Sequence, residues 1–472
     1  MTPSETDAPR PRAARRRWVG PVLFVLAAAV VVLLGLLAIS ILEHRWEARR
    51  QRIAITPLPE WEADPAVWGR NYPREYETYL EARQSDTRTP YGGAFPRDYL
   101  DADPNLVVLW AGYGFAKDYK QARGHPHSVE DILATARITP RTVGTCWTCK
   151  SAHVPRLIHE MGPADFYATN FHELRDEITH PIACRDCHDP ETLELVITRP
   201  ALREGLKALG RDPDGLSHQE MRSMVCAQCH VEYYFKDGSY LTFPWAEGTR
   251  PEDMLAYYDA YDFADFTHAI SATPIVKAQH PDWEVWRTGI HAYRDVSCAD
   301  CHMPYVSEGG AKYTDHHIQS PLLTINRSCT VCHRWTEEEI RTRVEGIQDK
   351  VHAALVRTES ALVKAHFDVA AAVQAGADDE ALAEPRRHIR RAQFRWDYVR
   401  SSNGMGIHSP QECTRILGEA ADLAQQARVL TARVLAVKGV TAEPAYPDVS
   451  TREKADAVRQ AFVDGEAPDL LP

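Results

Sequence analysis

Residues 145–153 read TCWTCKSAH. Cys146 and Cys149 stand one helical turn apart, and the residue directly after the second is Lys150. The same spacing returns at Cys184/Cys187, Cys226/Cys229, Cys298/Cys301 and Cys329/Cys332. There the next residue is always histidine: His188, His230, His302 and His333. C-x-x-C-H ties a c-type haem to a chain, with two thioether links at the porphyrin edge and an imidazole that swings under the iron. Zinc ribbons use C-x-x-C pairs but do not need that histidine. Pairs this close also make a poor disulfide framework. Cys413 is left over, and a buried structural thiol is its default reading. The motifs predict a mainly α multihaem cytochrome c, with short helices and long loops around five haems.

Lys150 takes the place of the fifth histidine. One reading is a degenerate site that binds haem badly or not at all. The other is an amine that ligates iron, which a lysine can do once a buried metal displaces its proton. An electron-transfer haem is closed by a second protein ligand, so four C-x-x-C-H haems call for about four more distal residues. Loop histidines beside Gly, Pro or aromatic residues are the candidates: His125, His291, His316 and His408. His127 competes with His125, and His317 with His316. His44, His352 and His366 lie in helical or connector segments, where exposure is expected. A lysine-ligated haem with one face open would be a reaction centre fed by closed ones. The alternative is a multihaem electron-transfer cytochrome without substrate chemistry.

The chain of 472 residues carries a formal net charge of −12, which argues against a nucleic-acid partner. Residues 18–42 carry no charge and are long enough to cross a bilayer. They are read as a retained transmembrane anchor, with a cleaved signal as the competing reading. Arginines flank the stretch on both sides, so charge alone orients it weakly. Haem attachment takes place outside the cytoplasm, which puts the bulk of the chain on the extracytoplasmic, periplasmic side of the cytoplasmic membrane. Residues 1–17 then form an Arg-rich cytoplasmic tail and 43–65 a charged connector. Residues 66–335 form the pentahaem catalytic region, and 441–472 a C-terminal tail.

Residues 336–440 differ in pattern. Thr336 and Glu339 form a capping box. Ile340, Val344, Ile347, Val351 and Leu355 follow at helical spacing. Further helices are expected from about Glu384 to Ser401 and from about Pro410 to Lys438. The last carries a stripe of Leu417, Ala420, Leu423, Ala427, Leu430 and Val434. These long helices are expected to pack together and to supply a homodimer interface.

CWTCK at 146–150 is joined by four C-x-x-C-H motifs, CAQCHVEYYF at 226–235, KAQHP at 277–281, YTDH at 313–316 and RWDY at 395–398. Over roughly residues 70–440 the chain thus resembles the pentahaem, ammonia-forming cytochrome c nitrite reductases. The resemblance implies six-electron reduction of nitrite to ammonium at the Lys150 haem. It implies that Arg137, Tyr233 and His280 line the open side. It pairs His125 with the haem of Cys226/Cys229, His316 with that of Cys184/Cys187, His408 with that of Cys298/Cys301 and His291 with that of Cys329/Cys332. One calcium ion is implied beside the active haem, held by the Glu232 carboxylate, the Tyr233 and Lys277 carbonyls and the Gln279 amide oxygen. An all-oxygen shell is what a hard cation prefers. A membrane quinol-oxidising multihaem cytochrome or another donor is the expected electron source.

Overall fold

The computed structural model describes residues 18–50 and 56–472, apart from the side chains of 44–50. The expected Arg-rich tail at 1–17 and the side chain of His44 lie outside the described residues. The chain divides into two units, Met1–Pro57 and Leu58–Pro472. Helix α1, Val19–Arg50, belongs to the first. Its apolar part, Val19–Glu43, with a mean hydropathy of 3.2 over an 18-residue window of which none is buried, has 25 residues. At about 1.5 Å per residue that exceeds a bilayer's apolar thickness of about 30 Å. The helix runs on beyond residue 42 into the segment expected as connector.

The second unit rests on three long helices: α2 (Glu337–Gln374), α3 (Asp379–Ser401) and α4 (Pro410–Val437), which pack on one another. The Thr336 hydroxyl accepts from Glu339 N, and Glu339 Oε2 accepts from Thr336 N at 2.8 Å, so the capping box starts α2 as expected. From the expected α2 stripe Ile340, Val351 and Leu355 are buried, while Val344 and Ile347 are half-buried. Helix α4 buries Leu417, Ala420 and Ala427, with Leu423, Leu430 and Val434 half-buried at the rim. Ala420, Ala424 and Ala427 bring small side chains to this face, which lets neighbouring helices approach closely. Helix α3 begins at Asp379, earlier than expected, because the Asp378 carboxylate caps Ala381 N at 2.8 Å. Pro385 then lies inside the helix, beyond the first turn, where its missing N–H forfeits one bond.

His366 overturns its expected exposure. It lies fully buried on α2, stacked on His268 with centroids 3.7 Å apart. Its Nε2 donates to Gln393 Oε1 at 2.7 Å, so a neutral ring is satisfied inside the core. Residues 441–472, expected as a tail, contain helix α5, Arg452–Asp464, which packs against the short helix Asn105–Leu109. Arg452 Nη1 pairs with Asp101 at 2.7 Å and Asp98 at 3.1 Å, and Leu470 is fully buried.

Residues 58–335 form short helices, loops and, among the described residues, four two-stranded antiparallel ribbons. They wrap one continuous cavity of about 2270 Å3 together with the start of α2 and the loop before α4.

Candidate active site and haem cradle

All ten motif cysteines line this cavity, as do Lys150, His188, His230, His302 and His333. The local backbone explains their common aim. The amides of His188, His230 and His333 donate to the carbonyls of Cys184, Cys226 and Cys329, each at 2.9 Å. Cys298–His302 is a helical turn capped by the Ser297 hydroxyl. One turn thus presents both thiols and the imidazole on one side. At the fifth motif Trp147 is buried and stacked on Phe171, with centroids 4.2 Å apart, and its Nε1 donates to Phe171 O at 2.9 Å. Gly144 is required there, because a Cβ would lie 2.4 Å from the Phe166 carbonyl oxygen. Ser128 Oγ donates to Lys150 O at 2.7 Å and pins the lysine backbone.

Each motif histidine faces a second imidazole across the cavity. Ring centroids are 6.4 Å apart for His125 and His230, and 6.4 Å for His188 and His316. They are 6.2 Å apart for His291 and His333, and 6.2 Å for His302 and His408. A metal bound at about 2.0 Å by one nitrogen of each ring sets the centroids about 6.3 Å apart. The four pairs therefore fit metal centres held between two imidazoles. The competing His127 has both ring nitrogens engaged, by Glu130 Oε2 at 2.9 Å and Arg83 O at 3.0 Å. His317 lines the cavity, with Nδ1 3.6 Å from Glu81 and Nε2 unpartnered, but its ring is not paired with a motif histidine among the described residues. In four of the eight rings Nδ1 is tied down, which leaves Nε2 free. Nδ1 of His188 donates to Leu193 O at 2.9 Å, of His302 to Gln319 O at 2.9 Å and of His316 to Thr314 O at 2.8 Å. His230 Nδ1 meets Asp282 Oδ2 at 3.0 Å.

Lys150 has no opposing imidazole, and its amine makes no hydrogen bond or ion pair among the described residues. Arg137, Tyr233, His280, Gln279 and Tyr113 line the same cavity. Tyr233 and His280 stand 6.1 Å apart by ring centroid. The Arg137 guanidinium lies 4.2 Å over the Phe115 ring, and its Nε donates to Thr135 Oγ1 at 3.2 Å. Burial, then the Lys150 charge, pushes the His280 imidazolium down to about 3, so the ring is neutral near neutral pH. Burial holds the Tyr233 hydroxyl well above its usual range, so it keeps its proton.

The expected calcium ligands come together. Glu232 Oε2 accepts from Gln279 N at 2.5 Å, and Gln279 Nε2 donates to Lys277 O at 3.0 Å. Among the described residues no three His, Cys, Asp or Glu side chains gather into a metal-holding group. The oxygens here come instead from one carboxylate, backbone carbonyls and an amide, whose two ends can exchange by a flip. Burial raises Glu232 well above the usual carboxylate range, and Glu284 to about 8. Glu284 Oε2 is buried without a partner. This excess of buried carboxylate fits a cation. Beneath it, the Lys277 ammonium is paired with the buried Asp397 carboxylate, with Oδ2 at 2.9 Å. Sequence reading missed Tyr113, Asp282, Glu284 and Asp397; for Asp397 the RWDY motif was the available signal.

A mainly helical chain folded around C-x-x-C-H turns and facing imidazoles is a multihaem cytochrome c. Residues 64–467 match the cytochrome c552 family, and the chain belongs to it. Cytochrome c-552 of Bacteroides fragilis is 50% identical over 452 residues, covering 93% of this chain and 91% of the relative. That of Aliarcobacter butzleri is 38% identical over 450 residues, covering 92% and 89%. Among solved structures, the catalytic subunit (NrfA) of cytochrome c nitrite reductase from Desulfovibrio desulfuricans ATCC 27774, described with two calcium sites, superposes with a TM-score of 0.76. It is 34% identical and covers 80% of this chain and 88% of that one.

Proposed function

We propose that the protein reduces nitrite to ammonium at a haem ligated by Lys150, fed by four bis-histidine haems. The observation that carries this is the contrast between four facing imidazole pairs and a solitary amine beside Arg137, Tyr233 and His280. The Desulfovibrio relative supports the substrate. Cys146/Cys149 and the four C-x-x-C pairs would carry five haems. His125, His316, His408 and His291 would hold the four histidine-bound haems together with His230, His188, His302 and His333 respectively.

The bound haem would supply electrons and an open coordination position for a small nitrogen ligand. The protein's own groups do the rest. Arg137 holds an oxygen of the anion and offsets its charge. Neutral His280 donates from its ring N–H towards an N–O oxygen, where protons must be delivered as each water leaves. Tyr233, kept protonated, adds a further donor. A calcium ion held by Glu232, Tyr233, Lys277 and Gln279 would fix the loop that carries His280 and raise local positive potential. Helix α1 would tether the catalytic unit to the cytoplasmic membrane on its periplasmic side. The long helices would form a homodimer, and a membrane quinol-oxidising multihaem cytochrome would deliver electrons.

Lys150→His tests the reading against a pure electron carrier. The parent is expected to form ammonium from nitrite and to show a high-spin component that shifts with nitrite or cyanide. The variant should lose most turnover. Unchanged turnover in the variant, or a wholly low-spin, ligand-inert parent, sinks the proposal.

A further inference from the structure

Four of the ligand imidazoles donate through Nδ1 to a described partner, and three of those partners are neutral backbone carbonyls. His230 differs, because its Nδ1 donates to a carboxylate, Asp282 Oδ2, at 3.0 Å. Asp282 is nearly buried, with 10% of its side chain exposed. It is held in turn by Asn403, whose backbone N donates to Oδ1 at 2.5 Å and whose Nδ2 donates to Oδ2 at 2.8 Å. Trp283 N donates to His230 O at 3.1 Å and locks the two segments a second time.

The place of this histidine matters as much as its partner. The Cys229 and Cys149 side chains are close neighbours, and so are those of Cys226 and Cys298. Cys187 lies within electrostatic reach of both Cys226 and Cys229. The Cys226/Cys229 motif therefore lies near the Lys150 motif and two others. A haem held there would stand next to the one at the Lys150 site.

A carboxylate that accepts from the outer nitrogen makes an imidazole a more basic ligand. Its negative charge, held in a low-dielectric surrounding, also favours the more positive, oxidised metal. We propose that Asp282 is a positioning residue that selectively lowers the reduction potential of the haem at Cys226/Cys229. An electron on that centre is then driven forward to the Lys150 site rather than stored. The inference rests on the reading of His230 and His125 as axial ligands.

The test is a spectropotentiometric titration of the full-length holoprotein, with five haems verified by pyridine haemochrome. Asp282→Asn keeps the shape and removes the charge. One low-spin midpoint should rise by at least a tenfold change in its reduction equilibrium, about 59 mV for one electron, with the others at parent values. Asn403→Ala removes a donor that competes for the carboxylate, so the same midpoint should fall. Mere loosening would move both variants the same way, and that outcome overturns the proposal. Parent midpoints in a fully loaded Asp282→Asn protein also overturn it. If Asp282→Asn fails to load haem, Asn403→Ala decides: a fall supports the proposal, and no change or a rise defeats it. These midpoints are read without nitrite, so an inactive protein with the expected shifts would count against the reductase reading alone.

Discussion

Lys277 and Asp397 form an ion pair at 2.9 Å with both side chains out of solvent, 1% and 0% exposed. Asp397 also accepts from Ala278 N at 2.7 Å, and the ammonium sits 4.9 Å over the Trp110 ring. The pair clamps the backbone of the Lys277-Ala278-Gln279-His280 loop onto α3. Removing one partner strands a buried charge, which costs about 3–5 kcal/mol, whereas removing both with good packing costs far less. Asp397→Leu should therefore lower the apparent unfolding midpoint sharply, and the Lys277→Met/Asp397→Leu double variant should recover most of the loss. A double variant no better than Asp397→Leu would show that the ion pair is not what holds the loop.

How far the sequence reaches is shown by what it missed. The motif turns, the capping box at Thr336 and the stripes of α2 and α4 depend on residues at most a few turns apart, so spacing reveals them. His366 was misread because its partners are not local: Ser271 Oγ and Gln393 Oε1 come from other segments, 95 and 27 residues away. Asp282 and His230 meet across 52 residues, and Lys277 and Asp397 across 120. Periodicity carries no information about such contacts. Spacing alone left the haem-ligand histidines as a set of alternatives and only the resemblance paired them; the facing rings are compatible with that pairing.

The pair His291 and His333 offers a clean test of axial assignment, because it lies at the exposed edge, where Ile290 is 67% and Val331 70% exposed. His291→Ala leaves Cys329 and Cys332 untouched, so haem content should stay at five. One low-spin haem should become high-spin, visible by electron paramagnetic resonance. A spectrum identical to the parent's would show that His291 is not a ligand.

Glu232 and Glu284 share a buried, proton-favouring corner next to Gln279 and Lys277. Calcium bound there would relieve the excess of carboxylate. Extended chelator treatment should remove about one calcium per chain by atomic emission and depress nitrite turnover. Glu232→Gln should lower calcium affinity by more than the about 10–100-fold that follows loss of a group merely supporting a ligand. Full calcium content in Glu232→Gln would place the ion elsewhere.

Glu359 on α2 is 1% exposed; its Oε1 accepts from Asn105 Nδ2 at 2.8 Å, and its Oε2 is buried without a partner. Burial, reinforced by the nearby Asp103 charge, pushes its carboxyl up to about 8. The folded state thus holds a proton that the unfolded chain releases near its ordinary value of about 4.5. Glu359's stabilising contribution is full below that value and is lost as pH rises, by about 1.4 kcal/mol per pH unit, until the folded carboxyl also ionises near 8. Glu359→Gln mimics the protonated acid at every pH. Its unfolding midpoint should match the parent's near pH 5 and exceed it near pH 9. If the two midpoints run parallel across that range, Glu359 is not a buried neutral acid.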